Sequence, residues 1–247
     1  MIRAILVSFV TFVYILIVGL PVLIIAGLTK NTDKLYQVGI TGARLALWLS
    51  GVRLEVHGLE KIPRGRAAIY MPNHQSNCDP PAVISILPPV LVMVKREFFR
   101  VPVLGRAMVL RGFIPVDRKK HERAIAAVER AVASVKAGNS FVAYPEGTRS
   151  PDGRLQTFKK GVFLLAIKSE ALIVPISVSG ARKIMPKGQF VIRPGRVRIT
   201  IHDPISARNY TLEQQRELIQ LTRQAILKGL DPEEWPVGKT ETADEKP

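Results

Sequence analysis

The sequence predicts an α/β protein, a mixed central sheet flanked by helices, with a two-helix membrane-associated segment in front of it. Three observations carry this. Apolar residues make up 47% of the 247 residues, enough for a core, and they are densest at the N-terminus. Beyond residue 50, short β-prone runs alternate with stretches of helical period, the pattern of a parallel or mixed sheet covered by helices. No internal repeat interrupts that alternation. The expected organisation is therefore residues 1–50 as membrane-anchoring helices, 51–230 as one α/β domain and 231–247 as a disordered, charged tail.

The first element is a run without charge from Ala4 to Thr29, bracketed by Arg3 and Lys30. As a helix its roughly 26 residues would be about 39 Å long, more than a bilayer's hydrocarbon core of about 30 Å, so the run serves as an anchor. Gly19-Leu20-Pro21 predicts a kink inside it. A cleavable signal peptide is the competing reading. The apolar run is too long for one, and a small-x-small cleavage site is lacking. A second helix is expected over residues 33–50, with Asp33 as N-cap and Trp48 at headgroup depth. An ordinary core-packing helix would look much the same.

Strands are expected over Val52–His57 and residues 67–71, 91–94, 113–116, 141–144 and 172–178. Residues 191–201 read as a hairpin turned by Pro194-Gly195. Helices are expected over residues 121–137, closed by Gly138, over Lys160–Ser169, and over residues 211–227 with Thr211 as a cap.

Thirty-six Lys and Arg against 20 Asp and Glu give a formal net charge of +16, which calls for anionic partners. Aromatic content of 6% argues against a base-stacking surface, so nucleic acid is not an expected partner. A single cysteine, Cys78, excludes an internal disulfide. The four histidines are scattered, so neither a metal nor another cofactor is expected.

Three segments hold candidate site residues. Asn73 to Pro80 follows a strand, where open α/β sheets place their sites. His74 can accept a proton near neutral pH, and a carboxylate on its far nitrogen would fix the tautomer. Asp79, five residues on, is within reach across a turn. Asp79 and Pro80 also read as an ordinary helix start, and one aspartate could do both jobs. Ser76 and Cys78 lie in the same loop and are conceivable nucleophiles. The second segment, Gly112 to Arg118, ends in an arginine suited to a phosphate, or simply to solvent. The third, Phe141 to Ser150, turns through Pro145 and Gly147 and presents Glu146, Thr148 and Arg149. Lys159 and Lys160 follow at a helix start, where an anion is favoured. Plain turn chemistry would also account for Pro145 and Gly147.

Together these segments resemble the glycerolipid acyltransferases, the family that includes the lysophosphatidate acyltransferases. Asn73, His74 and Asp79 match its Asn-His-x4-Asp block, and Phe113 to Arg118 loosely match the second block. Pro145 to Ser150 match its Pro-Glu-Gly-Thr-Arg-Ser block, and Ile173-Val174-Pro175-Ile176 its apolar strand with a proline. All four occur in order across roughly residues 50 to 205. The resemblance implies His74 as general base, Asp79 as its partner, and Arg118, Glu146, Gly147 and Arg149 around the phosphorylated acceptor; Thr148 and Lys159 are expected beside them from their places in the turn and at the following helix start. It implies transfer of a fatty acyl group from acyl-CoA or acyl carrier protein to the sn-2 hydroxyl of lysophosphatidic acid, giving phosphatidic acid. The catalytic domain is then expected on the cytoplasmic face of a membrane. An sn-1 glycerol-3-phosphate acyltransferase is the nearest alternative. A non-enzymatic basic membrane-binding protein would explain charge and anchor but not the four ordered blocks. A serine hydrolase is disfavoured because no Gly-x-Ser-x-Gly elbow occurs.

Overall fold

The computed structural model describes residues 1–117 and 121–237. The chain opens with α1 (Ile2–Tyr14), a π-helical stretch over Ile15–Gly19 and α2 (Leu20–Thr29), which form one helix from Ile2 to Thr29. The widened turn lies just ahead of Pro21, which has no N–H to give the regular ladder, so the expected irregularity falls at Ile15–Gly19. This helix is long and apolar enough to cross a membrane. Lys30 in the left-handed region ends it, and the chain returns as α3 (Asp33–Leu49). Asp33 is not the cap expected of it. It is the first helical residue, its N–H donating to Asn31 Oδ1 at 3.0 Å, and Thr32 is the N-cap. Tyr14 stitches the hairpin by donating its hydroxyl to the Val38 carbonyl, its ring lying where Gly42 carries no side chain.

The α/β domain then runs β1 (Val52–His57), β2 (Ala68–Pro72), α4 (Asp79–Ile84), β3 (Val90–Lys95), α5 (Leu104–Arg111), β4 (Ile114–Val116), α6 (His121–Lys136) and β5 (Ser140–Val142). It continues with α7 (Lys160–Ser169), β6 (Leu172–Ser179), α8 (Ala181–Ile184), β7 (Gly195–Ile201), β8 (Ile205–Ser206) and α9 (Gln215–Leu227). The sheet order is β1-β7-β6-β2-β5-β3-β4, with β8 also on β6. It is mixed, as expected: β2, β3, β4, β5 and β6 are mutually parallel, while β7 meets β6 antiparallel and carries β1 parallel to itself.

Strand alternation splits the core in two. Ile69 and Met71 of β2 face one side, where Ala127, Ala131 and Val135 of α6, Phe163 of α7 and Leu218 and Ile226 of α9 cover them. Ala68 and Tyr70 face the other, under Ala82 and Val83 of α4, Ile184 of α8 and Leu47 of α3. A core of this kind needs every strand in register, because a one-residue slip would exchange the two faces.

Three expectations are corrected here. The hairpin over residues 191–201 does not form. Only β7 is a strand, and it pairs parallel with β1, while Arg193 donates its N–H back to the Ile184 carbonyl. The last long helix starts at Gln215, not at Thr211. Gln214 is its N-cap and Gln214 Oε1 accepts the Thr211 N–H, so the preceding residues form a turn. The domain also extends past residue 230. Buried Glu234 accepts from Ser179 Oγ at 2.6 Å and from the Gly180 N–H at 2.8 Å, and Arg198 pairs with Asp231 at 2.7 Å. Residues 238–247 of the expected tail lie outside the described residues.

Candidate active site

The site forms where three neighbouring parallel strands, β5, β2 and β6, end together. β2 stops at Pro72 and the chain loops through Asn73–Cys78 into α4. Asn73 fastens that loop to β6, its side-chain amide donating to the Val178 carbonyl at 2.9 Å and its oxygen accepting the Val178 N–H at 2.7 Å. Neither partner is near it in sequence; only the β2–β6 pairing brings them together.

Asp79 is wholly buried, and its Oδ2 lies 2.7 Å from His74 Nδ1. The same oxygen accepts the backbone N–H of Gln75 at 2.6 Å and of Ser76 at 2.7 Å. A buried carboxylate with three donors is well paired, the condition for keeping an ion out of water. An ionised carboxylate only accepts, so the proton sits on Nδ1, and Nε2 carries the lone pair. The His74 side chain is 16% exposed, so that nitrogen is in a site solvent can reach. Asp79 does not cap its own helix. Cys78 occupies the N-cap position and the carboxylate turns back to hold the loop, so of the two jobs anticipated for it the histidine prevails.

The other neighbours of Asp79 are equally constrained. The Tyr144 ring lies against the His74 ring, centroids 4.1 Å apart. Burial and the charge of Asp79 push its hydroxyl well above the ordinary tyrosine range. The Tyr144 hydroxyl, Asp79 Oδ1 and both polar atoms of Gln75 are buried without a protein partner. Cys78 is buried and its thiol is pushed up to about 12, first by burial and then by the charge of Asp79. Ser76 Oγ donates to the Met185 carbonyl at 2.8 Å and accepts the Cys78 N–H at 3.1 Å.

The second wall comes from the segment after β5. Glu146 was expected at the acceptor, but it lies behind His74. It is 2% exposed, its Oε1 accepts the His74 N–H at 2.6 Å, and its Oε2 accepts the backbone and side-chain N–H of Gln156 at 3.1 and 2.9 Å. Both oxygens are committed to the scaffold, and burial pushes its carboxyl up to about 7. The physical reason is charge: a second carboxylate facing an anionic acceptor would repel it, whereas here it pins the backbone that carries the base. The Ser150 N–H donates to the His74 carbonyl at 2.7 Å, so both backbone groups of His74 are held by this one segment.

Gly147 takes a left-handed conformation (φ +71°), and Lys159 runs beside it: an added Cβ would meet Lys159 Cγ at 3.3 Å. Thr148 and Lys159 are exposed and Arg149 is half-buried, its carbonyl accepting from Lys187 Nζ at 2.6 Å. The structure thus gathers Gly147, Thr148, Arg149 and Lys159 on one loop beside the His–Asp pair. Arg118 lies outside the described residues. Tyr144, Gln156 and Lys187 were not anticipated as parts of the site. Tyr144 lies inside the candidate segment Phe141 to Ser150 but was given no role there; Gln156 and Lys187 gave no signal. Among the described residues no group of three or more His, Cys, Asp or Glu is placed to hold a metal.

Comparison with known proteins settles the family. Residues 53–179 match the model of the Acyltransferase family, a span running from β1 to the end of β6 and holding both loops. The chain belongs to that family. It is 37% identical over 155 residues to the chloroplastic 1-acyl-sn-glycerol-3-phosphate acyltransferase LPAT1 of Arabidopsis thaliana, covering 62% of this chain and 44% of that one. It is 33% identical over 198 residues to the 1-acyl-sn-glycerol-3-phosphate acyltransferase of Limnanthes alba, covering 79% and 70%. The chain therefore spans just under half the length of the chloroplastic relative and more than two thirds of the other. The crystal structure of the 1-acyl-sn-glycerophosphate (LPA) acyltransferase PlsC from Thermotoga maritima superposes with a TM-score of 0.81 at 27% identity, covering 92% of this chain and 93% of that one. That likeness extends over the α/β architecture.

Proposed function

We propose that this chain transfers a fatty acyl group from an acyl thioester to the free sn-2 hydroxyl of 1-acylglycerol 3-phosphate, giving phosphatidic acid. The observation that carries the reading is the 2.7 Å contact between His74 Nδ1 and buried Asp79, which leaves Nε2 as a fixed base in a solvent-reachable site. The relatives named above supply the substrate class. In the proposed reaction Nε2 takes the proton of the acceptor hydroxyl as its oxygen attacks the thioester carbonyl. Asp79 stabilises the imidazolium, and the proton then passes to the departing thiolate. Arg149 and Lys159, beside the Gly147 turn, hold the phosphate and so orient the hydroxyl.

Transfer is direct in this reading. Cys78 is buried with its thiol pushed up to about 12, and the Ser76 hydroxyl is spent on a backbone carbonyl, so neither is poised as a nucleophile. The donor is acyl-CoA or acyl carrier protein.

Membrane attachment is monotopic, with the domain on the cytoplasmic face. The helix from Ile2 to Thr29 is about 42 Å long, and both its ends lie against the domain. Arg3 reaches the turn at Gly51, and Leu23 and Ala26 pack with Val103 and Ala107 beside α5. A helix held to the domain at both ends lies along it and enters one leaflet. The deciding experiment is an assay of purified protein with lysophosphatidic acid or glycerol 3-phosphate as acceptor and acyl-CoA or acyl carrier protein as donor. The reading expects turnover with lysophosphatidic acid; acylation of glycerol 3-phosphate in preference would replace it by the sn-1 alternative.

A further inference from the structure

The segment that links β3 to β4 carries an apolar surface that the site does not use. Phe98, Val101, Leu104, Val109 and Leu110 are exposed, Phe98 by 50% and Val109 by 57%. α5 places its residues at 100° intervals, so Arg106, Val109 and Leu110 fall on one outward arc. Val103, just ahead of α5, and Ala107 flank that arc on the Leu110 side and pack against Leu23 and Ala26 of α2 and Leu35 of α3. The exposed arc therefore continues the apolar face of α2, where Ile24, Ile25 and Leu28 are themselves exposed.

The charges on this segment are almost all of one sign. Arg96, Arg100 and Arg106 are exposed, and its one acidic residue, Glu97, is already paired with Lys95 at 3.2 Å. Exposed apolar side chains interleaved with arginine suit an interface in which the apolar groups enter the acyl boundary while guanidinium groups reach lipid phosphates. The position of the segment is also fixed. Val103 adopts φ +61° in a tight turn closed by Leu104 N–H to the Pro102 carbonyl, and Gly105 sits so close to Phe99 that an added Cβ would be 2.2 Å from its carbonyl oxygen. A β-branched residue in that conformation is costly and needs surrounding structure to hold it. Here the holding structure is the contact of Val103 with the membrane hairpin.

We propose that the Phe98–Leu110 segment is a second membrane-binding element, inserting Phe98, Val101, Val109 and Leu110 into a bilayer and using Arg100 and Arg106 to select anionic phospholipid. This rests on the membrane reading of the N-terminal hairpin and extends it to the α/β domain. The domain would then have two separate points of attachment, and its height and tilt on the membrane would be fixed.

The experiment uses full-length protein carrying one environment-sensitive fluorophore, attached through Phe98→Cys, Val109→Cys, Ile17→Cys or Glu122→Cys in separate variants; native Cys78 is buried. Each is added to vesicles of equimolar phosphatidylglycerol and phosphatidylcholine, with and without brominated acyl chains. Labels at 98 and 109 should be quenched like the hairpin label at 17, while the label at 122 stays unquenched. Quenching at 17 with labels at 98 and 109 behaving like 122 overturns the second element and leaves the hairpin standing. No quenching at 17 refutes the hairpin, and the proposal with it. The lipid preference is read from the Arg100→Glu, Arg106→Glu double variant offered anionic and pure phosphatidylcholine vesicles together. Its preference for the anionic population should fall by on the order of 10-fold or more relative to the unmodified chain. An unchanged preference overturns the role of the arginines.

Discussion

At the scale of single residues, the site is built around one carboxylate that accepts from His74 and from two loop amides. His74→Ala should lower turnover by at least about 10²-fold in a protein that still folds, since a positioned general base supplies about 10²–10⁴-fold; some loss of melting temperature is expected because buried Asp79 loses one of its three donors. Asp79→Asn should cost a similar factor for a different reason. An amide oxygen in the place of Oδ2 could still accept the three donors but carries no charge to stabilise the imidazolium, and the amide turned the other way would hold the ring with the wrong nitrogen protonated. Turnover within a few-fold of normal in either well-folded variant would remove the His–Asp mechanism.

Glu146 yields a prediction of another kind. Its folded pKa, pushed up to about 7 by burial, is above the ordinary carboxylate value of about 4.5. Between those two values the folded state binds more protons than the unfolded state. This group therefore lowers stability as pH rises through that window, by about 3 kcal/mol in all, and the penalty is complete above pH 7. Glu146→Gln should flatten the stability profile between about pH 4.5 and 7. It should still impair catalysis, because the amide must point a donor at either the His74 or the Gln156 N–H. Chemical denaturation across that pH range checks the first claim. A profile for the variant as steep as that of the unmodified protein would show that another group is responsible.

At the scale of elements, the legible parts of the fold were those with local signals. Val52–His57 alternates and was found to the residue; Lys160–Ser169, with its helical period, was too. The elements misread were those decided by distant partners. Residues 191–201 suggest a hairpin locally, yet the β1 edge takes β7 as its parallel neighbour, a pairing across more than 140 residues that no local pattern announces. Likewise Glu146 was recognised but misplaced, because its partners Gln156 and His74 become neighbours only when β2 and β5 pair. Asp231 to Glu234 have the composition of a tail and are nonetheless bound, since the donors that hold them sit at the end of β6 and on β7.

The junction of β6, β7 and α9 is a further element-scale test. Ser177 Oγ has one proton and gives it to the Ile226 carbonyl, so it accepts from His202 Nε2 at 2.7 Å, which must carry a proton while Nδ1 does not. Burial first, then the charge of Lys61, lower the His202 pKa to about 4. A folded pKa below the unfolded value of about 6.5 means that the neutral ring contributes stability above pH 6.5, and that this is lost as pH falls towards 4. His202→Gln, with an amide that can still donate to Ser177, should reduce the acid sensitivity in that window. Equal loss of stability between pH 6.5 and 4 in both proteins would assign it elsewhere.

At the scale of the whole molecule, the issue is how the proposed membrane helix sits against a domain whose site lies at the carboxyl ends of central strands. An anchor that spans would leave Arg3 and Lys30 on opposite sides, tens of ångströms apart across the membrane. Here the first helix instead runs the breadth of the domain, from the start of β1 near Gly51 to α5 beside the β3–β4 edge, and α3 returns against α4 and α5. Detaching either end would expose Leu47, Val103 and Ala107 to water, so the hairpin and domain should behave as one body. It follows that Ile2→Cys and Asn31→Cys, at the two ends of the helix, should both react with a membrane-impermeant maleimide added from the side that carries the domain. Neither should react from the other side of sealed vesicles, and buried Cys78 contributes little background. Washing with 1 M salt should leave the protein on the membrane, because charge screening does not weaken apolar insertion. Labelling of the two positions from opposite sides would establish a spanning helix and require the contacts at Gly51 or at Val103 to open in the membrane.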